Sequence, residues 1–186
     1  PAEQSWLTMG TFASVTVRSD DAEHLAYYHE TTSHAFDELN QLLSVYLPDS
    51  EISQLNGSTG MVAISQETLT MLQETVRYAH GTSGAFDPTV SPLIQLWGFS
   101  GGSAPSGFPA AEIIAGALEQ TGYQHLKLSP ASPLSSMAGF DRPGMSIDLG
   151  GIAKGFAVDR AYGRLTETRP ANALINLGGN IRCHGK

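Results

Sequence analysis

Apolar side chains return every three or four residues along the longer stretches of this chain and alternate with polar ones along several short stretches, a pattern that predicts helices interleaved with strands. Leu25, His29, Thr32, Phe36, Leu39 and Leu43 recur at helical spacing. They predict a long helix over residues 22–46, which Leu47-Pro48-Asp49-Ser50 breaks. Ser50 is placed to cap a short helix carrying Ile52 and Leu55, and Asn56-Gly57 to end it. Leu69, Leu72, Val76 and Ala79 predict another helix, opened by Ser65 and closed by Gly81 and Gly84.

Strands are expected over residues 9–17, with Phe12, Val15 and Val17 as β-formers, and over 61–64, 125–128 and 173–177. The last of these ends in Gly178-Gly179, after which residues 181–184 are expected to pair back as a hairpin. Helices are expected over 110–118 and from 152 to about 168. Residues 84–98 form an unusually apolar segment to follow a loop, 100–109 read as a mobile Gly/Ser/Pro-rich surface loop, and 130–138 as a further loop. Residues 139–149 read as a strand or hairpin. No internal repeat is apparent, and the fold class is a mixed α/β or α+β domain.

Charge narrows the partners. A net charge of −8 over 186 residues, with few Lys and Arg, argues against nucleic acid and against a polybasic membrane-surface patch. No apolar run approaches the length that spans a bilayer. The numbering starts at Pro1 without a Met, so an upstream segment, such as a signal sequence, is expected to have been removed. Cys183 is the only cysteine, which excludes an internal disulfide and any multi-cysteine metal site but leaves the compartment open.

The chemistry-bearing stretch is Ser146-Ile147-Asp148-Leu149-Gly150-Gly151-Ile152-Ala153-Lys154-Gly155. Alternation through Leu149 gives way to helical spacing at Ile152, Phe156 and Ala157, so a glycine turn leads from a strand into a helix. Free N–H groups and the positive end of the helix dipole would face whatever sits there, and Asp148 and Lys154 bracket the spot. This is neither the dinucleotide fingerprint nor a P-loop. Two readings stand: a phosphate-binding turn, or an ordinary junction with Asp148 as helix cap and Lys154 in solvent. Asp87 before Pro88 is either a structural cap or an acceptor for a ligand's N–H or hydroxyl groups. Tyr46 and Met9 are core residues on general grounds, although a Tyr ring can stack on a flat ligand and a thioether suits a flavin face. The six histidines show no metal-binding spacing, and no G-x-S-x-G elbow supports a serine hydrolase.

Five segments in register resemble the FAD:protein FMN transferases, the ApbE flavin-transferase family. They are Met9-Gly10-Thr11; Tyr46 with Ser50-Glu51-Ile52 and Asn56; the 84–98 segment; residues 147–155 with Asp159; and Ala173-Leu174-Ile175-Asn176-Leu177-Gly178-Gly179. The resemblance covers nearly the whole chain. It implies an ApbE-like flavin-transferase fold, incomplete here, and Mg²⁺-dependent transfer of FMN from FAD to a Thr or Ser hydroxyl of a target flavoprotein, with release of AMP. It implies that Met9, Tyr46, Ala85, Phe86, Asp87, Asp148 and Lys154 contact FAD and that Gly151 offers its backbone carbonyl to the metal. Members are commonly exported to the periplasm and lipid-anchored to a membrane, which is the expectation here.

Residues 1–186 are expected to be the N-terminal portion of such an enzyme, with the catalytic groups and remaining metal ligands beyond Lys186. A complementary C-terminal fragment of the same protein is therefore an expected partner, beside FAD and the acceptor flavoprotein. The alternatives are an FAD-binding module without catalysis and an Mg²⁺-dependent pyrophosphatase that yields FMN and AMP.

Overall fold

In the computed structural model, Thr8 and Thr11 face each other across a two-residue turn, Met9-Gly10, in which both residues have positive φ, 49° and 69°. A turn of that kind twists in the same sense as the strands it joins, so it closes a tight antiparallel hairpin of β1 (Ala2–Thr8) and β2 (Thr11–Arg18). The strand expected over 9–17 is therefore β2 with its turn. β1 carries little apolar signal, because most of it is exposed and Trp6 is the side chain that packs inward, between His29 at 4.7 Å and Phe36 at 6.0 Å.

The structure describes residues 1–19, 21–100, 107–132, 135–168 and 172–185, and the chain divides into two compact units. The first, Pro1–Ser44 with Gly150–Lys186, has a four-stranded antiparallel sheet in the order β1-β2-β6-β7, where β6 is Asn172–Leu177 and β7 is Asn180–His184. Helices α1 (Ala22–Leu43) and α6 (Ala153–Thr168) pack on one face of it and on each other. Ala13, Val15 and Val17 of β2 and Ile175 and Leu177 of β6 alternate into that face against Tyr28, Phe36, Leu39, Ala157, Ala161 and Leu165. The expected hairpin of β6 and β7 is present.

The second unit, Val45–Leu149, builds α2 (Glu51–Asn56), α3 (Gln66–Gly81) and a three-stranded antiparallel sheet ordered β3-β5-β4, from Val62–Ile64, Ser135–Phe140 and Leu126–Ser132. Ser50 and Ser65 cap α2 and α3 as their positions suggested. The stretch read as a loop over 130–138 belongs largely to β4 and β5. Pro130 lies on an edge strand, where a missing N–H costs no ladder bond, and Pro133 lies outside the described residues. The apolar 84–98 segment is a 3-10 turn at Pro88–Val90 followed by α4 (Ser91–Leu96), which packs on α5 (Ala111–Glu119). Of the surface loop expected over 100–109, residues 101–106 lie outside the described residues.

Candidate functional site

In the second unit the chain from Met145 to Leu149 belongs to no helix or sheet, so its backbone groups need other partners. The Asn56 side chain supplies them on one edge. Ile147 N–H donates to Asn56 Oδ1 at 2.8 Å, and Asn56 Nδ2 donates to the Ile147 carbonyl at 2.9 Å, the pair of bonds a neighbouring strand would give. On the other edge Asp148 N–H donates to the Pro88 carbonyl at 2.9 Å. Ile147 and Leu149 are fully buried, whereas the Asp148 side chain between them is only half-buried. The expected strand is thus replaced by a segment pinned by a side chain.

Asp87 sits at the head of the 3-10 turn that provides Pro88. Its Oδ1 accepts from Thr89 N at 2.8 Å and from the Thr89 hydroxyl at 2.6 Å, while Oδ2 accepts from Tyr123 N at 3.0 Å. Thr89 Oγ1 in turn accepts from Gly122 N at 2.6 Å. Asp87 is therefore the cap that its place before proline predicted, and its carboxylate ties the 84–98 segment to the Gly122-Tyr123 turn. Each carboxylate oxygen keeps further acceptor capacity. Just before it, Phe86 N–H donates to Thr82 Oγ1 at 3.1 Å, leaving Ala85 exposed and the Phe86 ring half-exposed. Tyr46 follows the end of α1 instead of closing it: α1 stops at Leu43, Ser44 is extended, and the Tyr46 ring is 67% exposed, not part of the core.

The first unit gathers a second group of residues at one end of its sheet. Met9-Gly10 has its counterpart in Gly178-Gly179, a two-residue turn of the same kind with φ of 56° and 90°, which joins β6 to β7. Gly178 N–H donates to the Phe12 carbonyl at 2.9 Å, and a Cβ on Gly178 would stand 2.8 Å from Thr11 Oγ1, so the two turns lie side by side. The first turn of α6 reaches the same end, since a Cβ on Gly155 would lie 3.7 Å from Asn180 Oδ1. There Gly150 and Gly151 are exposed, and Lys154 Nζ donates to the Gly150 carbonyl at 3.3 Å. Because α6 begins at Ala153, Asp148 lies too far upstream to be its cap.

The two units thus hold the expected residues in two sets: Tyr46, Ala85, Phe86, Asp87 and Asp148 in one, Met9, Gly151 and Lys154 in the other. Asn56 and Thr89 are the framing residues that sequence reasoning did not single out for this role. The Asp-Pro-Thr order was a legible signal for Thr89, since a Thr two residues after a capping Asp can donate back to it. Nothing local signals that Asn56 serves residues 91 positions away. Among the described residues no three His, Cys, Asp or Glu side chains come together as metal ligands. An octahedral Mg²⁺ site needs more than the Gly151 carbonyl, so the described residues do not make one by themselves.

Residues 9–186 match the profile of the ApbE family. The FAD:protein FMN transferase of Vibrio cholerae serotype O1 is 34% identical over 191 residues, covering 100% of this chain and 56% of the relative. The FAD:protein FMN transferase of Escherichia coli K12 is 30% identical over 96% of this chain and 51% of its own length. Among solved structures, Flavin Transferase ApbE from Vibrio cholerae matches 99% of this chain and 59% of that one, with a TM-score of 0.87 at 31% identity. The apo form of Pseudomonas stutzeri flavinyl transferase ApbE matches with a TM-score of 0.88 at 26% identity, over 100% of this chain and 59% of that one. The chain spans about half the length of the curated relatives it matches.

Proposed function

The chain belongs to the ApbE family, and from that premise we propose that it holds FAD for transfer of the FMN half to a Thr or Ser hydroxyl of an acceptor flavoprotein, with release of AMP. The observation that carries the reading is the bond from Asp148 N–H to the Pro88 carbonyl, which seats two of the five resembling segments against each other within one unit. A frame that fixes an aspartate near the half-exposed Phe86 and Asp87 suits recognition of a polar, ring-bearing ligand.

In this proposal the exposed Tyr46 ring and the half-exposed Phe86 ring of the second unit offer flat apolar faces to an isoalloxazine ring, and the family resemblance also assigns to FAD the Met9 thioether of the first unit. Asp148 accepts hydrogen bonds from ligand N–H or hydroxyl groups, with Asp87 using the acceptor capacity its capping role leaves over. Lys154 contributes positive charge toward phosphate, and the exposed Gly150-Gly151 turn permits close approach of a ligand to the backbone. In the transfer itself, the acceptor oxygen bonds to the FMN phosphorus, the bridging P–O bond breaks, and AMP leaves with that oxygen. The hydroxyl proton passes to a base which, like most of the ligands for a Mg²⁺ ion, we assign to the remaining part of the fold supplied by a complementary C-terminal portion. The chain's share of its relatives' length supports that assignment.

The same share favours one second reading, an FAD-binding module that does no chemistry unaided. Incubation with FAD, Mg²⁺ and an acceptor flavoprotein, with and without the C-terminal portion, distinguishes the outcomes. Covalent FMN on the acceptor supports transfer, free FMN and AMP indicate pyrophosphate hydrolysis, and intact bound FAD indicates binding alone. FAD that neither binds nor reacts under any of these conditions contradicts the proposal.

A further inference from the structure

We infer that Asn56 is a positioning residue for the Asp148 carboxylate, an inference that rests on the FAD-binding reading above. Asn56 is the last residue of α2, and its carboxamide closes a two-bond ring with the backbone of Ile147, through bonds of 2.8 Å and 2.9 Å. An amide is the side chain that can do this from one place, because it presents an acceptor and a donor side by side in the plane that a strand's own backbone would offer. A carboxylate lacks the donor, and a leucine of similar size lacks both.

The consequence for Asp148 follows from its backbone neighbours. Asn56 holds the Ile147 N–H and carbonyl, the Pro88 carbonyl holds the Asp148 N–H, and the buried Ile147 and Leu149 side chains flank the half-buried Asp148. With the clamp gone, Ile147 loses both of these backbone bonds, and the segment that carries Asp148 is held less firmly.

The helix that carries Asn56 is itself secured. Ser53 N–H donates to Ser50 Oγ at 3.0 Å at its start, and both oxygens of Glu51 accept from Ser65, from its N–H at 2.9 Å and 3.0 Å and from its hydroxyl at 3.0 Å. α2 is therefore tied by a carboxylate to the start of α3, so the carboxamide projects from a braced element. The clamp belongs to a frame that runs from α3 through α2 to Asp148 and, through Pro88, to Asp87, Thr89 and the Gly122-Tyr123 turn.

The test compares Asn56→Ala, Asn56→Asp, Asp148→Ala and the two double variants, read by thermal denaturation, by amide hydrogen exchange and by FAD titration. Asn56→Ala is expected to speed exchange at the Ile147 and Asp148 amides and to weaken FAD binding roughly tenfold, the scale of one or two lost hydrogen bonds. In the Asp148→Ala background the same change is expected to cost no further affinity, because Asn56 acts through Asp148. Asn56→Asp keeps the volume and the acceptor while losing the donor to the Ile147 carbonyl, so it is expected to show the same loss even if Asn56→Ala does not fold. Equal losses with and without Asp148, or unchanged affinity in a folded Asn56 variant while Asp148→Ala loses it, overturn the positioning role alone. Wild-type affinity in Asp148→Ala, or no FAD binding by the wild-type chain, overturns the FAD-binding reading and the inference with it.

Discussion

Asp148 is the residue on which the account turns. Losing hydrogen bonds to a carboxylate costs about 1.5–3 kcal/mol each, so Asp148→Ala is expected to weaken FAD binding roughly ten- to a hundredfold in an isothermal titration, with the melting temperature little changed because the side chain is half-buried and its backbone bonds persist. Met9 makes a sharper test. It is a non-glycine residue at φ of 49° in a turn that favours Asn-Gly, and left-handed backbone costs an unbranched residue about 1 kcal/mol or more. Met9→Asn should therefore raise the melting temperature while lowering FAD affinity; a gain in both would remove Met9 from the ligand. The Asp87-Pro88 pair was legible as a cap from two letters of sequence, because its cause is local. Asn56 was legible as the end of a helix and as part of a resembling segment but not as a clamp, because its partner is Ile147, and nothing local in the sequence pairs residues so far apart.

At the scale of elements, the helices and buried strands followed their periodicity, and the failures have physical causes. β1 went unread because it is an edge strand with one inward aromatic, and β4 was read only as far as residue 128 because Pro130 looks like a break, although an edge strand tolerates proline where no neighbour needs its N–H. The packing of α1 on α6 carries its own prediction. Burial pushes the Glu38 carboxyl up, but the hydrogen bond and charge of Arg164, with His34 and Arg160, outweigh it and hold Glu38 below the usual carboxylate range. A carboxyl depressed in the fold stabilises above its unfolded value, near pH ~4.3, and loses that contribution as pH falls through its lower folded value. Glu38→Gln should thus lower the melting temperature at about pH 7 and approach the wild type near about pH 3. Such a penalty persisting unchanged in acid would show that packing, not charge, holds the pair. At the hinge of the two hairpins, Gly178→Ala would place a Cβ 2.8 Å from Thr11 Oγ1 at positive φ. It should cost about 2 kcal/mol, a melting temperature lower by roughly 4–8 °C.

At the scale of the whole molecule, the chain is a folded share of a flavin-transferase architecture: two units, each carrying part of the residue set that the family resemblance assigns to FAD. The five segments were legible together because each keeps its order and spacing, while their grouping into units was not, since a sheet that joins residues 2–18 to 172–184 leaves no local trace. Without three converging acidic or histidine ligands among the described residues, Mg²⁺ should bind this chain weakly, and calorimetry with Mg²⁺ alone is expected to show little heat. The central claim is that this chain holds FAD through Asp148. Titration of FAD into the wild-type chain and into Asp148→Ala, followed by flavin fluorescence, tests it most directly. Saturable binding to the wild type, with an affinity at least about tenfold lower in the variant, is the expected result; equal affinities, or no binding to the wild type, would contradict it.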